Sequence, residues 1–185
     1  MFNQQRNLYF IALIPHMELR GKIEVLKKEM KERFNAKHAL KSPAHITLQM
    51  PFRSSNKIEQ SLIKTLGEFA ALQDSFKISI SGFDCFKPRV IFVKVINHAP
   101  ILSLHKKLIP DLSTKVEIGK KEISQNIHPH MTIATRDLST QNFNKAWGEF
   151  KNREFEASFL CKSLFLLKHN GKFWDIFQEF DFKNQ

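Results

Sequence analysis

The chain has 185 residues, 42% of them hydrophobic and 18 of them phenylalanine, and it carries a formal net charge of +11. This is ample apolar material for a packed interior and argues against a disordered chain. No apolar run reaches the ~18 residues of a membrane-spanning helix, and 2 cysteines, Cys85 and Cys161, are too few for a disulfide framework.

Leu8 to Pro15 is a short, nearly continuous apolar run that stops at a proline, as a central strand does. Leu19, Ile23, Leu26, Met30 and Phe34 then recur every three or four residues, which predicts an amphipathic helix over 17–34. A strand follows over about 44–50, ended by Pro51 and a Ser54-Ser55-Asn56 turn. Ile58, Leu62, Leu66 and Phe69 mark a second helix. Phe76, Ile78 and Ile80 alternate with polar residues as in a strand, and Val90 to Ile96 is another.

The second half has a similar cadence. Ile101, Leu104 and Leu108 mark a helix. Lys115 to Asn126 is polar and weakly patterned and reads as a loop with some strand. A strand over about 128–135 and a helix marked by Phe143, Trp147 and Phe150 come next. Phe155 to Lys168 and Lys172 to Phe182 read as a hairpin around His169-Asn170-Gly171, because Asn-Gly is a strong turn signal. Helices thus alternate with mostly antiparallel-type strands, and in both halves a similar strand leads into a helix after a short polar turn, so an α+β fold with a duplicated unit is expected.

Two strands carry the same short pattern, Ala44-His45-Ile46-Thr47-Leu48 and Pro129-His130-Met131-Thr132-Ile133. With 8 histidines and 6 threonines, random order would give about 0.26 His-x-Thr matches. On a strand, residues two apart share a face, so each copy aims an imidazole and a hydroxyl to one side and buries apolar residues on the other. Facing each other, the two strands would place two titratable imidazoles and two hydroxyl donors around one cleft, a kit for acid–base chemistry on a phosphate ester.

These two motifs, with Phe86-Lys87-Pro88-Arg89-Val90-Ile91-Phe92-Val93 between them, resemble the two-histidine (2H) phosphoesterase superfamily, which includes 2′–5′ RNA ligase-like and cyclic nucleotide phosphodiesterase proteins. The resemblance spans nearly the whole chain. It implies a bilobal, pseudo-symmetric α+β fold, a single domain over 1–185 made of two interleaved lobes, with antiparallel sheets forming a central cleft and helices packed outside. It also implies metal-independent cleavage or formation of a phosphodiester, at a cyclic phosphate or 2′–5′ linkage of RNA ends or small nucleotides. Its catalytic quartet would be His45, Thr47, His130 and Thr132. The chain departs from the family in two places. Thr135 stands where the family often has an arginine, with Arg136 one residue late and so expected on the other face of the strand. Phe173 and Trp174 stand in the final hairpin where a tyrosine is common.

The candidates for substrate binding are Arg89, His128, Trp174 and Phe52. Arg89, like Lys168 and Lys172, is a possible phosphate contact or a solvated surface residue. Trp174 and Phe52 are each a base-stacking ring or a core residue. His128, two residues before His130, caps the cleft entrance or completes a three-imidazole metal set with His45 and His130; the lack of a nearby carboxylate argues against the metal. His16, His38, His98, His105 and His169 are expected at the surface. The cysteines are expected to be packing residues. No cofactor or metal is expected, and the partners expected are RNA or a nucleotide and no membrane. The start, Met1 to Arg6, lacks a signal-peptide layout, and the two cysteines are expected reduced, so a cytoplasmic protein is expected; a monomer is expected as well. The alternative from another class is an RNA- or nucleotide-binding protein of the same fold with little or no turnover.

Overall fold

The computed structural model describes residues 6–116, 118–119 and 121–183, apart from the side chains of 56 and 57. Residues 1–5, on which the reading of the chain's start rests, lie outside the described part. In chain order the elements are β1 (Arg6–Leu13), α1 (Met17–Phe34), a 3₁₀ turn (His38–Lys41), β2 (Ile46–Ser55), α2 (Asn56–Ala70), β3 (Phe76–Phe86), β4 (Val90–Val95), α3 (Ala99–Lys115), β5 (His130–Ala134), α4 (Thr140–Phe150), β6 (Glu156–Cys161), β7 (Ser163–His169) and β8 (Trp174–Asp181). The fold is α+β with pseudo-symmetric halves, built on two antiparallel four-stranded sheets ordered β2-β1-β7-β8 and β5-β4-β3-β6. No described helix is long and apolar enough to cross a membrane.

The sheet orders explain the placement of the motifs. Each His-x-Thr strand, β2 or β5, is the edge of its sheet. The first strand is central, as its continuous apolar run requires. Tyr9, Ile11 and Leu13 enter the main core, while Phe10, Ala12 and Ile14 pack with Phe165 and Leu167 on the other face. The main core draws residues from both sheets, including Ile46 and Leu48 of β2 and Met131 and Ile133 of β5.

Three sequence expectations fail for identifiable reasons. Pro51 does not end β2, which runs on to Ser55. Between the pairs Tyr9↔Phe52 and Ile11↔Gln49 the register shifts, and Pro51 sits at that irregularity on an edge strand, where its missing N–H does least harm to the ladder. The stretch from Phe155 to Lys168 is not one strand of a hairpin. The chain changes sheets at Lys162: β6 pairs with β3, and β7 pairs with β1 and β8. The β7–β8 hairpin itself is present, with Gly171 at φ 99 and the Asn170 carboxamide oxygen accepting from the backbone N–H of Lys172 and Phe173.

The third concerns the stretch after α3. Its described residues form no strand. Instead the stretch is sewn to the outer edge of β2 by a fully buried glutamine. Gln49 donates to the Glu122 carbonyl at 2.8 Å and accepts from the Ser124 N–H at 2.9 Å. The ring of His105, expected at the surface, is buried with Nε2 3.0 Å from the Ser124 carbonyl. Polar composition marked this segment as a loop, yet its backbone groups are satisfied by long-range partners that no local pattern shows.

Candidate active site

Each catalytic-motif histidine sits at the start of its edge strand and is held in the same way. His45 Nδ1 lies 2.8 Å from the Pro43 carbonyl, and His130 Nδ1 lies 2.5 Å from the His128 carbonyl. A carbonyl only accepts, so each Nδ1 carries the hydrogen and Nε2 is the nitrogen left for chemistry. Each ring also rests on a phenylalanine of the neighbouring strand: His45 on Phe10 of β1, with centroids 4.9 Å apart, and His130 on Phe92 of β4, 4.8 Å apart. A backbone tether and an aromatic floor together leave the imidazole little freedom to turn.

His45, Thr47, His130 and Thr132 line one cleft of about 430 Å³ between the two sheets. All four are half-buried. Neither threonine hydroxyl has a protein hydrogen-bond partner among the described residues, so both are available to a ligand. Burial pushes the pKa of His45 down to about 4, and the Lys27 ammonium and His130 act in the same direction. Burial also lowers His130, with His128 and His98 adding to the effect and the His128 carbonyl opposing it. Both rings are therefore neutral over more of the pH range than a free imidazole.

Behind His45 lies a residue that the sequence did not single out. Lys27 interrupts the apolar stripe of α1, is 1% exposed, and donates to the Ser42 carbonyl at 2.8 Å. It has no carboxylate hydrogen-bonded to it among the described residues. Desolvation holds its pKa down at about 8. Its bond fixes the segment Ser42-Pro43 whose next carbonyl in turn orients His45.

The candidate binding residues separate. Trp174 lines the cleft, edge-on to Phe10 at 4.6 Å and to His169 at 5.0 Å. His128 lines it too, exposed and edge-on to Phe86 at 5.2 Å. Arg89 is exposed on the β3–β4 turn and outside the lining. Lys172 is also exposed, and Lys168 turns away to bond Glu59 at 2.5 Å. Among the described residues no three His, Cys, Asp or Glu side chains gather as a metal site, so His45, His128 and His130 do not form the metal triad.

Phe52 is corrected. It is 1% exposed, its ring lies 6.1 Å from Tyr9 in the core, and it does not reach the cleft. Phe52 is an odd number of residues from Thr47 and shares the core face of β2 with Ile46 and Leu48. Phe52→Leu is expected to lower stability by about 1 kcal/mol in a denaturant titration, and to leave ligand affinity alone.

A second aromatic besides Phe92 flanks His130: Phe86, 40% exposed and 5.1 Å from its ring. His38, expected at the surface, and Arg136 also line the cleft. Arg136 is expected on the face opposite position 135, and counted from His130 and Thr132 that is their own face; β5 stops at Ala134, Arg136 adopts φ 58, and it lines the cleft together with Thr135. Among the described residues no aspartate or glutamate lines the cleft.

Comparison with known proteins identifies the family and the fold. A family model described as the 2′-5′ RNA ligase superfamily matches residues 15–173. A Bacillus pumilus protein named "Putative phosphoesterase" is 27% identical over 176 residues, covering 93% of this chain and 95% of the relative. A similarly named Halalkalibacterium halodurans protein is 24% identical over 176 residues, covering 93% and 95%. Among solved structures, E. coli LigT complexed with 3′-AMP superposes with a TM-score of 0.72 at 16% identity, covering 97% of this chain and 100% of that one. Kluyveromyces marxianus Usb1 gives 0.54 at 14% identity, covering 96% and 98%. These structures share the fold.

Proposed function

The chain belongs to the 2′-5′ RNA ligase superfamily, and from that premise we propose that it is a metal-independent phosphoesterase acting on a cyclic phosphate or 2′–5′ phosphodiester of RNA ends or small nucleotides. The observation that carries the reading is the pair of imidazoles delivered by two opposed edge strands to one cleft, each with Nδ1 fixed by a carbonyl. Binding alone needs no such matched pair of oriented Nε2 atoms. The names of the curated relatives, and the 3′-AMP held by LigT, support the same chemistry.

The roles follow from the two environments. His45, the more strongly depressed ring, stays unprotonated and is the general base. His130 keeps its proton to higher pH than His45 and is the general acid. In hydrolysis of a cyclic phosphate, His45 Nε2 takes a proton from water as the water oxygen bonds to phosphorus. The bond from phosphorus to one ribose oxygen breaks, and His130 Nε2 gives that oxygen a proton. Thr47 and Thr132 donate to the non-bridging oxygens, where charge builds in the transition state. Among the described residues the lining holds no carboxylate to repel the substrate's own charge.

The test is a screen of 2′,3′-cyclic nucleotides, 1″,2″-cyclic phosphates and 2′–5′ oligonucleotides with EDTA present. Turnover that survives EDTA supports the reading. Tight binding without turnover of any of them replaces it with a nucleotide-binding role. Trp174 is the ring placed to stack on a base, a contact worth ~1–3 kcal/mol. Trp174→Ala is therefore expected to raise KM about tenfold while kcat falls less, measured on the best substrate of the screen.

A further inference from the structure

We propose that the end of the cleft formed by His38, Lys41 and Arg136 is a subsite for a second phosphate of the substrate, beside the one that is cleaved. The proposal rests on the phosphoester reading of the cleft and narrows it to substrates that carry an additional phosphate, such as a phosphorylated nucleotide or the next linkage of an oligonucleotide.

Charge is the first support. His38, Lys41 and Arg136 all line the cleft. Neither Lys41 nor Arg136 has a carboxylate partner within ion-pair distance among the described residues. Asp137, the acid that acts on His38, is otherwise engaged: its two carboxylate oxygens accept from the backbone N–H of Lys37 and His38, each at 3.1 Å. Arg136 and Lys41 add to burial in lowering the His38 pKa, and Asp137 offsets them only in part. The result is a concentration of positive charge that an anion would relieve.

Construction is the second. The Asp137 carboxylate ties the 3₁₀ turn, which leads into β2, to the segment that follows β5. The cationic end is thus assembled from both lobes, as the catalytic quartet is. Arg136 is held at φ 58, a left-handed conformation that costs a non-glycine residue roughly 1–2 kcal/mol. Such strain persists where surrounding bonds impose it and where the side chain it aims has a use.

Position separates this end from the scissile phosphate. The scissile group has its own donors in Thr47 and Thr132. Along β5 the chain rises ~3.3 Å per residue, so Ala134 is already roughly 7 Å beyond Thr132, and Arg136 follows after the strand has ended. A guanidinium and an ammonium on separate segments suit the spread oxygens of a phosphate.

The experiment measures binding of adenosine 3′-phosphate, adenosine 3′,5′-bisphosphate and adenosine 2′,5′-bisphosphate by calorimetry at fixed salt, on the full chain. At least one bisphosphate is expected to bind tenfold or more tightly than the monophosphate. The double variant Lys41→Met/Arg136→Met should lose most of that advantage. Lys64→Met/Lys145→Met, which removes the same charge from the helices, should keep it. Equal binding of all three ligands by the unaltered protein overturns the subsite. Equal weakening of mono- and bisphosphate in the Lys41/Arg136 variant also overturns it, because these cations would then hold the scissile phosphate. Turnover in the EDTA screen reports on the phosphoesterase reading separately, so the two can fail independently.

Discussion

His45→Ala and His130→Ala are each expected to lower kcat by roughly 10²–10⁴-fold, the usual contribution of one positioned proton transfer. The double variant should fall by much less than the product of the two, since base and acid serve one displacement and neither helps fully without the other. Asparagine at either position sharpens the test. Its side-chain N–H can occupy the place of Nδ1 and keep the bond to the Pro43 or His128 carbonyl, yet it moves no proton at neutral pH. If His45→Asn and His130→Asn retain near-native turnover, the rings orient substrate and do no acid–base work.

The same roles fix the sign of the pH dependence. The base form of His45 is present above about 4 and is lost as pH falls through that value. The acid form of His130 is lost as pH rises through a pKa held below the ordinary 6.5. The profile of kcat/KM, which reports on the free enzyme, should therefore peak on the acid side of 6.5. A bound phosphate favours both imidazolium forms, so the kcat profile should lie at higher pH. A profile flat from acid to alkaline pH, with chemistry rate-limiting, removes the two-histidine mechanism.

How much of this was legible in the sequence depends on the range of the interaction. The catalytic quartet could be read because strand alternation couples His45 to Thr47 and His130 to Thr132, a local rule that β2 and β5 obey over those residues. The same rule fails just beyond: Met50, beside the β2 irregularity, and Thr135, past the end of β5, line the cleft although their parity is that of the core residues Leu48 and Ile133. The exchange of sheets at Lys162 leaves no mark in hydrophobic pattern, because β6 and β7 are both partly apolar and only their partners differ. The cleft role of His38 depends on an aspartate 99 residues away. Long-range pairing of this kind is set by the packed whole and not by a window of sequence.

Lys27→Met is expected to stabilise the protein at neutral pH by up to about 3 kcal/mol while impairing catalysis. The folded state holds this ammonium at about 8 against an ordinary 10.5, and at ~1.36 kcal/mol per pKa unit that depression is the cost of keeping the charge buried. The sign is set by proton uptake. Between pH 8 and 10.5 the unfolded chain binds the proton more fully than the folded one, so this group makes the native protein more stable as pH rises through that window. Below it the full cost is borne. Methionine fills similar space without the charge, and replacing a buried ion by a packed apolar side chain is commonly neutral or stabilising. The Ser42 carbonyl loses its donor, but Ser42 lines the cleft and water can replace it. Urea titrations at pH 7 and 10 check the prediction: the variant should gain at pH 7 and show a smaller rise between the two. Catalysis should move the other way, because the Ser42–His45 segment loses its anchor and His45 loses a positive neighbour. The acid limb of the kcat/KM profile should then shift upward, a change that loosened packing alone would not produce. Lys27→Gln retains a donor for Ser42 without the charge, so recovery of kcat but not of the acid limb would separate anchoring from electrostatics. A variant that is less stable at pH 7 and unchanged in its acid limb would show that Lys27 serves neither purpose.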